Sequence, residues 1–341
     1  MSETFLQDSS YKKAFSLDWV ASHFLGERYQ NLSLRRSRLE QLREENLRKL
    51  KAQGHIGRPI PMDIREGLTK EEFVSQYLRA NRPVVLKGVA KDWNCVKTWT
   101  PDRLKEKYGE DRIPLIDASP KIDDITQMDY SVKYVDFKDV IEGMKVGDNS
   151  MYSRFNDLLG NHPELRDDFD IDWFVERREK LVSGKVFQCF IGGKGTYTHI
   201  HSAIQSNFFT QVYGQKRWLL YPPSYNQYLR PIVEGRPYFG TLYRPTDRNF
   251  SDYPEMEYLD YYDVTLEPGD ILYNPPSWWH HVMNDTMTIG VGFRWTSVSA
   301  TLKASPIQLL LTLFAYNPSI LFAIKSRGDF AKVFGYKKKQ A

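Results

Sequence analysis

The 341-residue chain has only two cysteines, Cys95 and Cys189, which excludes a disulfide framework and a cysteine-rich zinc site. So few thiols suit a reducing compartment, and a cytoplasmic location is expected. No uninterrupted run of about 20 apolar residues occurs, so a conventional membrane span is not expected. The stretch from Met1 to Gly26 lacks the basic-then-apolar order of a secretory signal. An excess of one charge is also missing: 47 Lys and Arg stand against 43 Asp and Glu, leaving +4. That is too weak to imply a nucleic-acid partner, and none is expected. What remains is ordinary globular usage, with 41% hydrophobic and 26% charged residues, which excludes wholesale disorder. The aromatic content is high at 14% and predicts a core of large planar side chains or an aromatic-lined cavity.

Along the chain, Ser33 to Gln53 reads as a helix packing through Leu39, Leu42 and Leu50, with Gly54 at its end. The segment from His55 to Pro61, with two prolines and a glycine, reads as a linker. Thr69 is placed to cap a helix running to Ala80, with Glu72 completing a capping box. Pro83 to Val89 reads as a buried strand, Pro101 to Tyr108 as a helix and Arg112 to Ile116 as a strand. From about residue 185 to 300 short apolar-alternating runs separated by turn residues predict a sandwich or barrel. The strands expected there are Val186–Ile191, Tyr197–Ser202, Asn207–Tyr213, Lys216–Tyr221, Asp270–Tyr273, His280–Met283 and Thr288–Trp295. Gly214-Gln215 fits a two-residue hairpin turn. The Tyr-rich stretch from Ser224 to Glu267 reads as an insertion over the barrel. After Pro306 an apolar run broken at Asn317-Pro318 predicts two short helices, docked on the barrel or joining two copies of the chain in a homodimer. Membrane-surface binding through this run and Lys337–Lys339 is the weaker reading.

Seven histidines occur, and four form two tight pairs, His199 with His201 and His280 with His281. On a regular strand His199, His201 and Ala203 point to one face. A pair two apart, completed by a distant histidine on another strand, is metal-ligand spacing for a β-barrel. His280 and His281 face opposite ways, so at most one of them joins the same ion.

Three blocks carry a resemblance: Thr198-His199-Ile200-His201, the run from Asn207 to Pro223, and the run from Leu266 to Val282. In this order, with the upstream helix from Thr69, the Pro83 strand and Trp93, the chain resembles the cupin-like jumonji-C oxygenases. It looks most like the protein-hydroxylase branch that includes the asparaginyl hydroxylase of hypoxia signalling. The resemblance implies a mainly β fold, a double-stranded β-helix or jelly roll, over residues 61–300, with an N-terminal helical region at 1–60 and a C-terminal helical tail at 301–341. It implies Fe(II) held by a His-x-Asp…His triad, with 2-oxoglutarate and O₂ as co-substrates. The metal ligands then fall on His201 and His280, the lysine that pairs with the far carboxylate of 2-oxoglutarate on Lys216, and further polar contacts on Thr198 and Asn207.

The departure from the family pattern is Ala203, which stands where the metal-binding Asp belongs. No Asp or Glu occurs between Thr196 and Gln215, so a small slip of alignment does not restore it. Gly292 is a second departure, where relatives often carry Asn. Three readings stay open. Ala203 opens a ligand site for chloride or bromide, as in the iron halogenases of the wider superfamily. Alternatively His199, His201 and His280 form a three-histidine cupin site; in that motif Gln205 replaces a common Glu, and Ser277 a common Gly. The third reading is a catalytically inactive barrel that binds a ligand or partner. The substrate class expected is a small molecule or a peptide.

Overall fold

In the computed structural model residues 9–30, 33–116, 132–148 and 150–326 are described; the Lys337–Lys339 cluster and the end of the tail lie outside them. The strands are β1 (Pro59–Pro61), β2 (Ile64–Arg65), β3 (Val84–Leu86), β4 (Arg112–Ile116), β5 (Val132–Asp136), β6 (Tyr152–Asn156), β7 (Ser183–Gly192) and β8 (Tyr197–Ser202). There follow β9 (Ser206–Tyr213), β10 (Lys216–Tyr221), β11 (Phe239–Gly240), β12 (Tyr261–Leu266), β13 (Ile271–Asn274), β14 (Trp279–Asn284) and β15 (Thr288–Thr296). One sheet has the order β1-β12-β10-β14-β8-β11 and the other β2-β3-β13-β9-β15-β7-β6, while β4 and β5 pair separately. The pairs within the two large sheets are antiparallel except β1 with β12 and β2 with β3.

The sheets stack face to face because each strand alternates. Trp218, Leu220, Val264, Leu266 and Val282 from one sheet meet Val85, Phe190, Phe209 and Leu272 from the other in a single cluster. This is the jelly roll expected. Residues on the opposite face of the larger sheet, such as Phe208, Val291, Phe293 and Trp295, pack with the upstream helices around Phe73, Trp99 and Phe174. Both cysteines are free and buried there.

Two expectations change, besides the insertion read over Ser224–Glu267, whose end forms β12 inside the sheet with Val264 and Leu266 in the sandwich core. Gly214-Gln215 does not close a hairpin: β9 belongs to one sheet and β10 to the other, so this turn carries the chain across the sandwich. A short turn signals reversal, but which sheet the next strand joins is settled by tertiary pairing. Gly214 is required in either case, because its φ is 69° and a Cβ would meet the Met287 carbonyl oxygen at 1.9 Å. The second change is at Pro59–Pro61, expected as part of a linker. It forms the edge strand β1 beside β12, a place where proline costs no ladder donor that the sheet needs.

Within the N-terminal region expected to be helical, α1 (Ser9–Gln30), which was not read individually, precedes α2 (Ser33–Ala52). Tyr11, Phe15 and Trp19, four apart, bury one stripe of α1 against Tyr228 and Phe239 of the Tyr-rich insertion. Leu50 of α2 joins the same cluster, with Leu39 and Leu42 at its margin. The capping box of Thr69 and Glu72 is present, but the helix it starts becomes a π-helix over Val74–Leu78. The C-terminal run forms helices Pro306–Leu313 and Ile320–Lys325, separated around Asn317-Pro318. Leu313, Phe314, Leu321 and Ile324 stay more than half exposed on them. Among the described residues no helix is long and apolar enough to cross a membrane.

Candidate metal and co-substrate site

Strands β8 and β14 are neighbours, and their register places His201 directly opposite His280. The imidazole centroids lie 4.1 Å apart. His201 Nδ1 is 2.8 Å from the His199 carbonyl oxygen, and His280 Nδ1 is 3.0 Å from that of Trp278. A carbonyl only accepts, so the Nδ1–H tautomer suits both contacts and leaves each Nε2 with its lone pair, with the Asn274 carboxamide nitrogen also 3.3 Å from His280 Nδ1. That is the tautomer a metal-binding histidine needs, fixed by its own backbone. Burial pushes the His280 pKa down to about 3 and holds that of His201 well below the ordinary value, with the neighbouring His280 adding to the effect. Both rings are neutral at neutral pH.

The face-sharing expected of His199 and His201 does not survive intact. Between His280 and Val282 the register slips: Val282 pairs with Thr198, so three steps along β8 match two along β14. This bulge brings Thr198 onto the His201 face and breaks the alternation at His199. The His199 ring instead sits edge-on to Tyr197 at 5.0 Å, and its Nε2 is buried without a hydrogen-bond partner. His281 points out of the barrel beside Tyr197, at 5.6 Å. Among the described residues no group of three His, Cys, Asp or Glu side chains is placed to hold a metal ion.

Lys216 enters the sandwich from β10 and is 0% exposed. Its ammonium reaches the Tyr152 hydroxyl at 3.4 Å and lies among the rings of Tyr152, Phe190 and Phe209. No carboxylate faces it among the described residues. Thr198 donates to the same Tyr152 hydroxyl at 3.4 Å. Asn207, inside β9, has both carboxamide atoms buried without a partner, as do Asn156 and Gln188. Buried polar groups are normally satisfied, and a dicarboxylate is the partner that suits a buried ammonium, a hydroxyl and a carboxamide donor together. The residues fit 2-oxoglutarate. Gly292 makes room for this arrangement, because a Cβ there would meet Asn207 Oδ1 at 2.8 Å.

For a divalent metal the fit is partial: among the described residues two imidazoles are supplied and no carboxylate. Ala203 lies just past the end of β8, and its carbonyl accepts the Ser277 N–H at 2.8 Å. Ser277, on the turn before β14, is 0% exposed, has φ 68° and carries a hydroxyl with no partner. Glycine would suit this left-handed position better. Ser277→Gly is therefore expected to stabilise the protein by about 1–2 kcal/mol, combining the left-handed penalty and the unpaired hydroxyl. Urea unfolding measures it; a loss of stability would mean that the hydroxyl has a bound partner.

Sequence reasoning missed Tyr152, Arg154 and Arg294. Arg294 is buried on β15, close enough to His201 and His280 to disfavour their protonation. It could have been found as the one charge in an otherwise apolar strand, sharing a face with Gly292. Tyr152 stands in a stretch without periodic pattern, and only the pairing of β6 with β7 brings it to Lys216.

Residues 69–301 match the cupin-like domain family. The chain is 29% identical over 305 residues to lysine-specific demethylase JMJ21 of Arabidopsis thaliana, covering 84% of this chain and 29% of that protein. It is 26% identical over 235 residues to Jumonji C domain-containing protein 5 of Drosophila melanogaster, covering 66% of this chain and 57% of the relative. Human tRNA wybutosine-synthesizing protein 5 is 24% identical over 257 residues, covering 70% and 79%. The chain thus spans less than two thirds of the plant and fly relatives. The matched span, the jelly roll and the paired histidines agree, and the chain belongs to the cupin-like jumonji-C family.

Proposed function

We propose that the chain is a metal-dependent oxidative enzyme using 2-oxoglutarate, in which an exogenous anion, chloride or bromide, takes the ligand position opened by Ala203. The observation that carries this reading is Lys216, a wholly buried ammonium that among the described residues meets a phenol hydroxyl and aromatic rings and no carboxylate. Burying a charge without an anionic partner is costly, and a barrel with no co-substrate to bind has no physical reason to keep one. Relatives named as a lysine-specific demethylase and a wybutosine-synthesizing protein support oxidative chemistry of this general kind.

In this reading His201 and His280 present Nε2 to Fe(II), Lys216 and the Tyr152 hydroxyl hold the far carboxylate of 2-oxoglutarate, and Thr198 and Asn207 orient it. Bound there, iron with 2-oxoglutarate and O₂ supplies the oxidising power. The chain contributes placement, a water-poor interior and neutral ligands. Arg294 and Arg154 favour an anion beside the histidines, since both add positive potential there.

The catalytically inactive reading keeps one observation of its own. Two imidazoles under the field of two arginines, with no third ligating side chain among the described residues, bind a divalent cation less well than a complete triad. Consumption of 2-oxoglutarate by the iron-loaded protein separates the two. Turnover that needs chloride or bromide, and that disappears with bound metal in His201→Ala and His280→Ala, is the expected result. Absence of turnover under every halide would favour the binding protein.

A further inference from the structure

A cleft of about 920 Å³ lies outside the sandwich, walled by the π-helix Val74–Leu78, the segment after helix Ile171–Arg177, and helix Val298–Ala304. Five cations line it: Lys70, Arg79, Arg178, Lys180 and Lys303. None of them makes an ion pair among the described residues; Lys303 and Arg178 bond only to the backbone carbonyls of Arg79 and Glu179. Two carboxylates, Glu176 and Glu179, share the lining, and Glu179 is engaged by the Trp295 indole N–H. Two polar atoms in the wall, Asn81 Oδ1 and Arg178 Nε, are buried without a hydrogen-bond partner. Asn81 is held in a left-handed conformation at φ 54°.

The cleft adjoins the histidine site through two hydrogen bonds. The Asn81 carbonyl accepts the Trp278 indole N–H at 3.0 Å, and Trp278 supplies the carbonyl that orients His280. Thr301, next to the cleft residue Ala300, donates at 2.9 Å to the carbonyl of Ile204, which follows Ala203.

We propose that this cleft docks an acidic segment of a protein partner. Charge complementarity selects an anionic occupant, because unpaired cations outnumber carboxylates and focus potential in a concave site. No aromatic side chain lines the cleft, so it has no platform for stacking nucleic-acid bases. The two glutamates among the cations work against a uniform row of phosphates. Val74, Leu78 and Val175 add apolar surface that accepts an aliphatic side chain between acidic ones. The orphaned side-chain Oδ1 of Asn81 and the Arg178 Nε–H match the donor and acceptor of a peptide backbone. Docking here requires neither metal nor 2-oxoglutarate, so it stands apart from the proposed chemistry.

Fluorescence anisotropy with the full chain tests it, using a short labelled peptide of alternating Glu and Leu, its Gln-for-Glu counterpart, a short oligothymidylate, and inorganic triphosphate as competitor. The acidic peptide binds and the Gln peptide does not. Reversing two exposed cations, Arg79→Glu with Lys180→Glu, weakens binding by about tenfold or more, and Glu176→Lys strengthens it. Three results would overturn the proposal: no binding of the acidic peptide, equal binding by the reversed variant, or tighter binding of oligothymidylate or triphosphate than of the peptide. All three substitutions are at the surface, and an unchanged melting temperature checks that the variants are folded.

Discussion

Lys216→Met is expected to weaken 2-oxoglutarate binding by more than about a hundredfold while leaving the ligand-free protein as stable as before, or more so. The two halves of this expectation come from one fact. The ammonium is 0% exposed, and its polar contact is the Tyr152 hydroxyl at 3.4 Å, long for a strong bond. In the free protein this is a buried charge poorly compensated, and an apolar side chain of similar volume removes that cost. In the complex the same ammonium meets a carboxylate away from water, and truncating one partner of such a pair costs about 2–5 kcal/mol. A lysine with a merely structural role would behave the other way, with stability falling and affinity unmoved. Calorimetric titration of 2-oxoglutarate and urea unfolding on the same preparations read both halves.

The metal-free protein is expected to lose about 5 kcal/mol of stability between pH 7.5 and 5.5, a large share of what holds a typical domain together. Four histidines are responsible. Burial pushes His199 down to about 4, His280 and His281 to about 3, and His201 well below its ordinary value. In the unfolded chain all four titrate near 6.5. Above that pH neither state binds the protons and stability is full. As the pH falls below 6.5 the unfolded chain takes up four protons that the folded protein refuses, and each contributes a little over 1 kcal/mol of destabilisation by about pH 5.5. The slope eases once the folded protein begins to accept protons, from about pH 4 downward. Urea midpoints at three pH values on chelator-treated protein check this, and His281→Asn should reduce the slope by about a quarter. Flat stability from pH 7.5 to 5.5 would show that these rings are solvated.

Much of this site was legible in residue order. β8 and β10 run from Tyr197 to Ser202 and from Lys216 to Tyr221 as their alternation implies, and the pairing of His201 with His280 and the inward lysine follow from matched motifs. What was not legible is tertiary. Strict period-two counting puts His199 beside His201, but a bulge, which leaves no local signal in Thr198-His199-Ile200, exchanges His199 for Thr198. Gly214 announces a turn without saying which sheet receives the next strand. Tyr152 lies 64 residues before Lys216 and meets it only because β6 closes the edge of the larger sheet. The α1 stripe of Tyr11, Phe15 and Trp19 was readable by its spacing of four, and its partner is the insertion at Tyr228 and Phe239 rather than the sandwich.

The central claim concerns the gap at Ala203: two histidines and a held dicarboxylate, with an anion completing the set. The most direct measurement is the visible spectrum of the anaerobic protein loaded with Fe(II) and 2-oxoglutarate, titrated with chloride, beside Ala203→Asp treated identically. A chloride-dependent shift in the unmodified protein that is absent in Ala203→Asp is the predicted result, because a carboxylate would fill the position the anion takes. A spectrum indifferent to chloride in both proteins, or no 2-oxoglutarate-dependent band at all, would contradict it.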